Sequence, residues 1–411
     1  MRLPSRSRRA PTSARFLAVA AFGLAACGGG GKDCCGPPPE VPDLDVVGLG
    51  AVSTRFTAEL AVRGSYAYTS TWGQRAPGAY GNVINVWNVA GASPTLVRTI
   101  DVPGTGVTTT GDIQVSDDGT LLVVATERVN GSIVIFDLTD PASPTLRSVF
   151  MSPHTTDGVH TAEVQRVNGK LYAFLSIDPT TGPARLTIVD LSDPSTPVEL
   201  FSQTMGRPFV HDVFVRDGVL FTALWNDGLT IWDIGGGGRG GTPASPVQLG
   251  NVQTVDGAVH NVWWFHDPSN GAKRYAFVGE EGPGSVGSSS VGDIHVVDVS
   301  DMSAPREVAF YHVAGAGTHN FSMDEANGIL YAAFYNAGVR ALDVRGDLSA
   351  CTASQKDANE RCDLGKMGRE LAAGLTTRGN VYVWGVQYDG AAYVYASDML
   401  NGLWKLTRAT R

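Results

Sequence analysis

The phrase Leu186-Thr-Ile-Val-Asp190-Leu-Ser-Asp193-Pro-Ser-Thr-Pro197-Val-Glu-Leu200 constrains this chain most, because the chain repeats it. Ile133-Val-Ile-Phe-Asp137-Leu-Thr-Asp-Pro-Ala-Ser-Pro144 is nearly a copy, looser copies begin at Ile84, Leu229, Ile294 and Val339, and Leu403-Trp-Lys-Leu406 is a truncated last one. Alternating apolar and polar residues that run into Asp-Pro and a second Pro describe a β-strand, a tight connection and the start of another strand. Repeats of roughly 45 to 60 residues belong to propellers or solenoids. Ahead of each phrase lie two more apolar runs joined by a Gly turn, most clearly Val213-Phe-Val-Arg-Asp217-Gly218-Val-Leu-Phe-Thr-Ala-Leu224. Each unit therefore supplies four antiparallel strands, the blade of a β-propeller.

Seven units follow one another, and the seventh, Val381 to Leu406, has sequence for only three strands before the chain stops at Arg411. Asp43-Leu-Asp-Val-Val-Gly-Leu49, ahead of the first unit, resembles the fourth strands. The expectation is an all-β, seven-bladed β-propeller over residues 43–411, closed by this N-terminal strand completing the last blade. One stretch, Met367 to Leu375, reads as one or two helical turns. Gly282 to Gly292 and Cys351 to Cys362 read as surface loops inserted in units five and six.

The Leu-Thr-Ile-Val-Asp phrase resembles the LVIVD repeat of exported bacterial propellers. The resemblance covers the chain after residue 42, is strongest in units two to six, and implies the fold and an exported setting. It implies no catalytic residue.

The N-terminus agrees with export. Arg2, Arg6, Arg8, Arg9 and Arg15 precede the eleven-residue apolar run Phe16 to Ala26, which falls short of the about 20 residues a spanning helix needs. Leu24-Ala25-Ala26-Cys27 looks like the lipobox of bacterial lipoproteins. The domain reading is a lipoprotein signal peptide over 1–26, a Gly/Pro-rich tether over 27–42, and the propeller. Cys27 is the expected lipidation site, carrying palmitate or a similar acyl chain into the lipid bilayer. The expected location is the cell envelope, membrane-anchored and facing the periplasm or cell exterior. Removing the five arginines takes the formal charge from −9 to −14. An acidic surface argues against nucleic acid as a partner. Disulfides persist in such compartments, so Cys351 and Cys362 read as a pair.

Four of the eight histidines, His160, His211, His260 and His319, recur at the start of the first strand in units three to six. First strands line a propeller's channel, so the imidazoles should gather at one mouth. Loops between second and third strands bring Glu280 and Glu281 to the same side. Imidazoles with a carboxylate suit a transition metal such as zinc, copper or iron. Alternatively each histidine clamps its blade to the next through a neighbouring Asp or Asn, since His211 and Asp212 of one strand point to opposite faces. Both readings stay open at this level. No nucleophile elbow, phosphate loop or zinc-protease motif is present. The functional expectation is a surface-tethered, non-catalytic module that binds a protein or small-molecule ligand at the channel mouth. The alternative is a metal-dependent oxidoreductase or hydrolase that uses the histidine cluster.

Overall fold

The repeated phrase forms the third strand of a blade. In the computed structural model, which describes residues 41–104, 106–127, 130–178, 183–205 and 209–411, Arg185–Asp190 pairs antiparallel with Lys170–Ile177 on one side and Val198–Thr204 on the other. The same four-strand order recurs in seven sheets. Blade one runs from Phe56–Arg63 to Thr95–Asp101, and blade two from Thr109–Val115 to Thr145–Phe150. Blade three begins at Val159–Val167 and blade four at Asp212–Arg216. Blades five, six and seven begin at Val259–Trp264, Phe321–Asp324 and Val383–Tyr388.

Every blade carries one irregularity at one place. Between the third and outer strands the register slips by a single residue of the outer strand: Val97, Arg147, Leu200, Leu249, Val308, Leu371 and, in blade seven, Val47. A bulge increases local twist, and a propeller blade needs a strongly twisted sheet. The outer strand of blade seven is Val46–Ala51, which pairs with Gly402–Thr407. It shares the bulge of the other six, so the N-terminal strand is a true fourth strand and closes the ring as the sequence implied.

The core is divided among the blade interfaces, one apolar cluster to each. Leu60, Val62 and Trp87 of blade one meet Tyr395 and Leu403 of blade seven, so the ring is sealed by packing as well as by hydrogen bonds. The other six neighbouring pairs have equivalent clusters.

Two regions depart from expectation. Residues Glu370–Gly374 form the outer strand of blade six, not a helical turn. Glu370 and the two alanines pair with Val339–Asp343 around the bulged Leu371, and this pairing overrides their helix propensity. The Cys351–Cys362 insert, disulfide-bonded as expected, also reaches back to blade five. Its Cys362–Asp363 adds a parallel fifth strand beside Arg306–Tyr311. Cys27 and the rest of the signal and tether lie outside the described residues. Among the described residues no helix is long and apolar enough to cross a membrane.

Candidate metal centre in the channel floor

The four histidines reach the channel through a second set of bulges. Val159 and Thr161 pair with Ile177 and Ser176, which leaves His160 extra; Val259 and Asn261 leave His260 extra in the same way. The N–H of His211 and of His319 bonds the carbonyl of Ala223 and of Ala333, at the head of their strands. A bulge breaks the alternation of side chains and re-aims the extra residue. His160 and Thr161, His260 and Asn261, and His319 and Asn320 therefore line one cavity together. The His211–Asp212 pair is the exception: Asp212 lines this cavity and His211 does not, as alternation along a strand requires.

The re-aimed rings form a closed circuit. Successive centroids lie 4.3 Å apart from His160 to His211, 4.3 Å from His211 to His260 and 4.2 Å from His260 to His319. Trp384 of blade seven, itself a bulge residue, lies 4.6 Å from His319, and Trp72 of blade one lies 4.9 Å from Trp384 and 6.2 Å from His160. Blade two contributes Gly111, where a Cβ would meet the His160 carbonyl at 2.6 Å. The imidazoles form a buried floor across the channel: His211, His260 and His319 are only 7%, 2% and 3% exposed.

Glu281 stands among them. Its Oε2 lies 3.3 Å from His211 Nε2 and 3.7 Å from His260 Nε2, and its Oε1 lies 4.0 Å from His319 Nε2. Burial opposes its charge, but His260, His211 and the Tyr335 hydroxyl outweigh burial and bring its carboxyl down to about 2. Tyr335 donates a hydrogen bond to Oε1. Glu280, one residue earlier, is directed elsewhere: it accepts the Asp293 N–H at 3.0 Å and lies 3.4 Å from His295 Nε2. The structure brings Glu281 to the histidines and leaves Glu280 out.

His160 differs from the other three. Its Nδ1 is 2.7 Å from Glu127 Oε1 of the preceding blade. Burial opposes its charge, yet Glu127 raises its pKa to about 10. Burial and the charges of neighbouring rings push His211 down, and push His260 and His319 well down. His211 Nδ1, both nitrogens of His260, and His319 Nδ1 are buried with no hydrogen-bond partner.

The inter-blade clamp exists, but other residues make it. Asp112 Oδ2 accepts Ala162 N–H across blades two and three at 3.0 Å, and Gln387 Oε1 accepts Val62 N–H across blades seven and one at 2.6 Å. Ser322 Oγ accepts Tyr388 N–H across blades six and seven at 3.0 Å. Asp212 accepts its own neighbour's N–H, from Val213, at 2.8 Å. Among the described residues the His160–Glu127 pair is the shortest contact of the histidine type between neighbouring blades; His211–Glu281 at 3.3 Å and His266–Asp217 at 3.7 Å are longer.

Two aromatic residues that sequence reasoning passed over hold the floor from beneath. Trp225 stacks on His211 at 5.2 Å and Tyr335 meets His319 edge-on at 5.2 Å. Both have positive φ, 53° and 35°, which is an outlier for a bulky side chain and collects at functional sites. The parallel phrases Leu224-Trp-Asn-Asp-Gly228 and Phe334-Tyr-Asn-Ala-Gly338 are the signal in the sequence.

Chemically, the group His211, His260 and Glu281 and the group His160, Asp178 and His211 each gather ligand atoms within 4.8 Å of one another, sharing His211. Two donors bound about 2.1 Å from one tetrahedral ion stand about 3.4 Å apart. The Glu281–His211 and Glu281–His260 separations are of that size and exceed ordinary hydrogen bonds.

The LVIVD repeat model matches residues 182–204, 209–254 and 290–313. This chain carries LVIVD repeats. The LVIVD segments fall on blades three, four and five, where the Leu-x-Ile-x-Asp phrase is best preserved. Among solved structures the chain is similar to the C-terminal WD40 domain of Sif2, with TM-score 0.56, 12% identity, and coverage of 90% of this chain and 100% of that one. It is equally similar to U3-55K, with TM-score 0.59, 12% identity and coverage of 90% and 100%. The RRP9 WD40 repeats match with TM-score 0.59, 12% identity and coverage of 90% and 99%. Such identities speak for the propeller fold alone. No curated protein sequence matches the chain. An LVIVD propeller is a binding or scaffold module, and the floor of its channel is where this one concentrates chemistry.

Proposed function

We propose that this protein is a metal-binding propeller of the cell envelope, holding a transition ion such as zinc, copper or iron in the channel floor. His211 Nε2, His260 Nε2 and one Glu281 oxygen are the ligands, and His160 and His319 flank them. The observation that carries the reading is a buried carboxylate, Glu281, set 3.3 and 3.7 Å from His211 Nε2 and His260 Nε2, with both nitrogens of His260 buried and unpartnered. Glu127 on His160 Nδ1 and Tyr335 on Glu281 Oε1 are the outer partners that fix the orientation of metal ligands. Carboxylate and imidazole donors together suit a borderline divalent ion.

Metal analysis of the purified protein, followed by cobalt(II) titration of chelator-treated protein, tests this. The expected result is one ion per chain and a visible cobalt spectrum, both lost in His211→Ala/His260→Ala. Affinity holds at pH about 6.5 and falls only at lower pH, because burial keeps the His211 and His260 rings below the ordinary histidine value and protonated imidazole cannot ligate. A wild-type chain that takes up no zinc, copper or cobalt while the double variant melts lower sinks the proposal in favour of a purely structural ring.

We also propose that Cys27 is acylated and holds the propeller at a membrane. Support comes from the lipobox Leu24-Ala25-Ala26-Cys27 after a basic and then an apolar run. Incorporation of labelled palmitate, lost in Cys27→Ala, is the expected outcome; a wild-type chain without label refutes it.

A further inference from the structure

The histidine floor closes one end of a cavity of ≈1050 Å³ that runs up the channel toward the turns between first and second strands. Four acids stand in its wall on consecutive blades, Glu59 and Asp112 buried and Glu163 and Asp212 half-buried. The arginines that line it, Arg63, Arg216 and Arg408, belong to its outer end and are already engaged. Arg63 bonds the Asp117 carbonyl, Arg216 grips Glu325 with both nitrogens, and Arg408 lies 3.7 Å from Asp324. Among the described residues no lysine or arginine pairs with any of the four inner acids. Burial, with the charges of one another, raises the pKa of all four, that of Asp212 to about 7.

Three of the acids have backbone work. Asp112 takes the N–H groups of Ile113 and Ala162, Asp212 takes that of Val213, and Glu163 takes that of Val215. Glu59 is different. It is only 8% exposed, the Asn320 side chain meets one oxygen, and its Oε1 has no hydrogen-bond partner. The nearest ring nitrogen, His319 Nδ1, lies 3.5 Å away and is neutral and unpartnered as well. The space beside this oxygen is walled by aromatic faces: Trp72 against Trp384, with Trp263 and Tyr388 higher in the cavity. A buried carboxylate oxygen without a donor costs free energy, and aromatic faces attract cations. A bare ion fills little of such a volume, while an ammonium group on a short carbon chain fills it and meets both kinds of wall.

We infer that this chamber binds a small organic cation, a primary ammonium compound whose charged head sits at Glu59 and whose apolar tail lies against Trp72 and Trp384. This site stands independently of the metal proposal, since none of its contacts requires an ion in the floor.

The test uses the purified full-length protein after chelator treatment, followed by calorimetry and tryptophan fluorescence. The probe is n-butylammonium, with n-butanol as its neutral isostere and calcium as an inorganic competitor. Butylammonium is expected to bind at least tenfold tighter than butanol and to perturb tryptophan emission. Glu59→Gln keeps the shape and the Asn320 contact and is expected to weaken binding at least tenfold. Glu163→Gln, which still offers Val215 an acceptor, serves as the second variant and is expected to weaken binding in the same direction. Equal affinity for butanol, unchanged affinity in both variants, or displacement of butylammonium by equimolar calcium overturns the inference. Repeating the titration with zinc present separates the two proposals: loss of zinc binding with ammonium binding intact refutes only the metal centre.

Discussion

Replacing His295 by Gln removes a buried cation from blade five, and the structure fixes how the effect must vary with pH. His295 is 1% exposed. Its Nδ1 lies 2.7 Å from Glu307 Oε1 and its Nε2 lies 3.4 Å from Glu280 Oε2. Burial opposes the charge of the ring, but Glu280 and Glu307 outweigh burial and raise its pKa to about 9. An unfolded chain has an ordinary histidine near 6.5. A raised histidine pKa gives stability that is complete below the unfolded value and is lost as pH climbs through the folded one. The window is therefore pH 6.5 to 9, the slope about 1.4 kcal/mol per pH unit and the whole effect about 3 kcal/mol. The assay is urea unfolding of wild type and His295→Gln at pH 6, 7, 8, 9 and 10, with the disulfide intact. Other groups titrate over the same range, so the quantity to follow is the difference between the two proteins. That difference should shrink steadily between pH 6.5 and 9 and then level off. The level that remains reports lost packing and hydrogen bonding. A difference that does not change with pH refutes the ion-pair account of this buried cluster.

Three further outcomes are expected. Leu44→Ala, in the segment that leads into the closing strand and only 3% exposed, should lower stability by about 2 to 5 kcal/mol; an unchanged denaturation midpoint counts against N-terminal closure. Reducing the Cys351–Cys362 bond, which closes a loop of sequence separation 11, should cost about 3 kcal/mol or less, read from melting curves with and without reductant. Tyr335→Phe removes the hydroxyl from Glu281 and should weaken metal binding roughly tenfold, measured by competition with a chromogenic chelator; unaltered affinity removes Tyr335 from the site.

The sequence disclosed the propeller because each strand advertises itself by period-two alternation and each turn by Asp-Pro or Asn-Gly. It disclosed closure because Leu44 to Leu49 copies the outer strands, and the disulfide because Cys351 and Cys362 are close in sequence. What stayed hidden has one physical source. A bulge is a single extra residue with no composition of its own, so nothing in Val259-His260-Asn261 announces that two neighbours face one cavity. The sequence therefore placed His260 correctly at the head of its strand but left its metal-ligand and clamp readings both open. Glu281 and Glu280 could not be told apart for a related reason: their faces depend on where Tyr275–Glu280 ends, and strand ends are set by tertiary contacts. Trp72 and Glu59 lie on different strands of blade one and Trp225 lies in blade four, with no shared spacing, so only the closed ring brings them to the histidines. The Cys362–Asp363 strand was beyond sequence reasoning because its partner belongs to the previous blade.

The division of labour between neighbouring residues bears on why four histidines recur. A first strand of a propeller cannot pair with the first strand of the next blade along its length, so the blades need side chains to bridge them at the channel. Asp112, Gln387 and Ser322 supply such bridges, each by accepting a backbone N–H of the following blade. Had the histidines been needed only for this, all their ring nitrogens would be spent on neighbours; His160 is held by Glu127, and His211 and His319 spend one nitrogen each, on Glu281 and on the Trp384 backbone. His211, His260 and His319 instead bury ring nitrogens that touch no partner, at a cost of about 1 to 3 kcal/mol for each unsatisfied group. Leucine or threonine at the same bulge would avoid that cost and still fill the floor. The arrangement is unfavourable for an empty ring and favourable for one that closes on a ligand, because a bound ion satisfies His260 Nε2, which folding leaves unpartnered, and the charge of Glu281 as well. Binding then adds to the stability of the folded state in proportion to ligand concentration, so the melting temperature of the wild type should rise with added zinc while that of His211→Ala/His260→Ala stays fixed. Equal shifts in the two proteins would place the ion elsewhere.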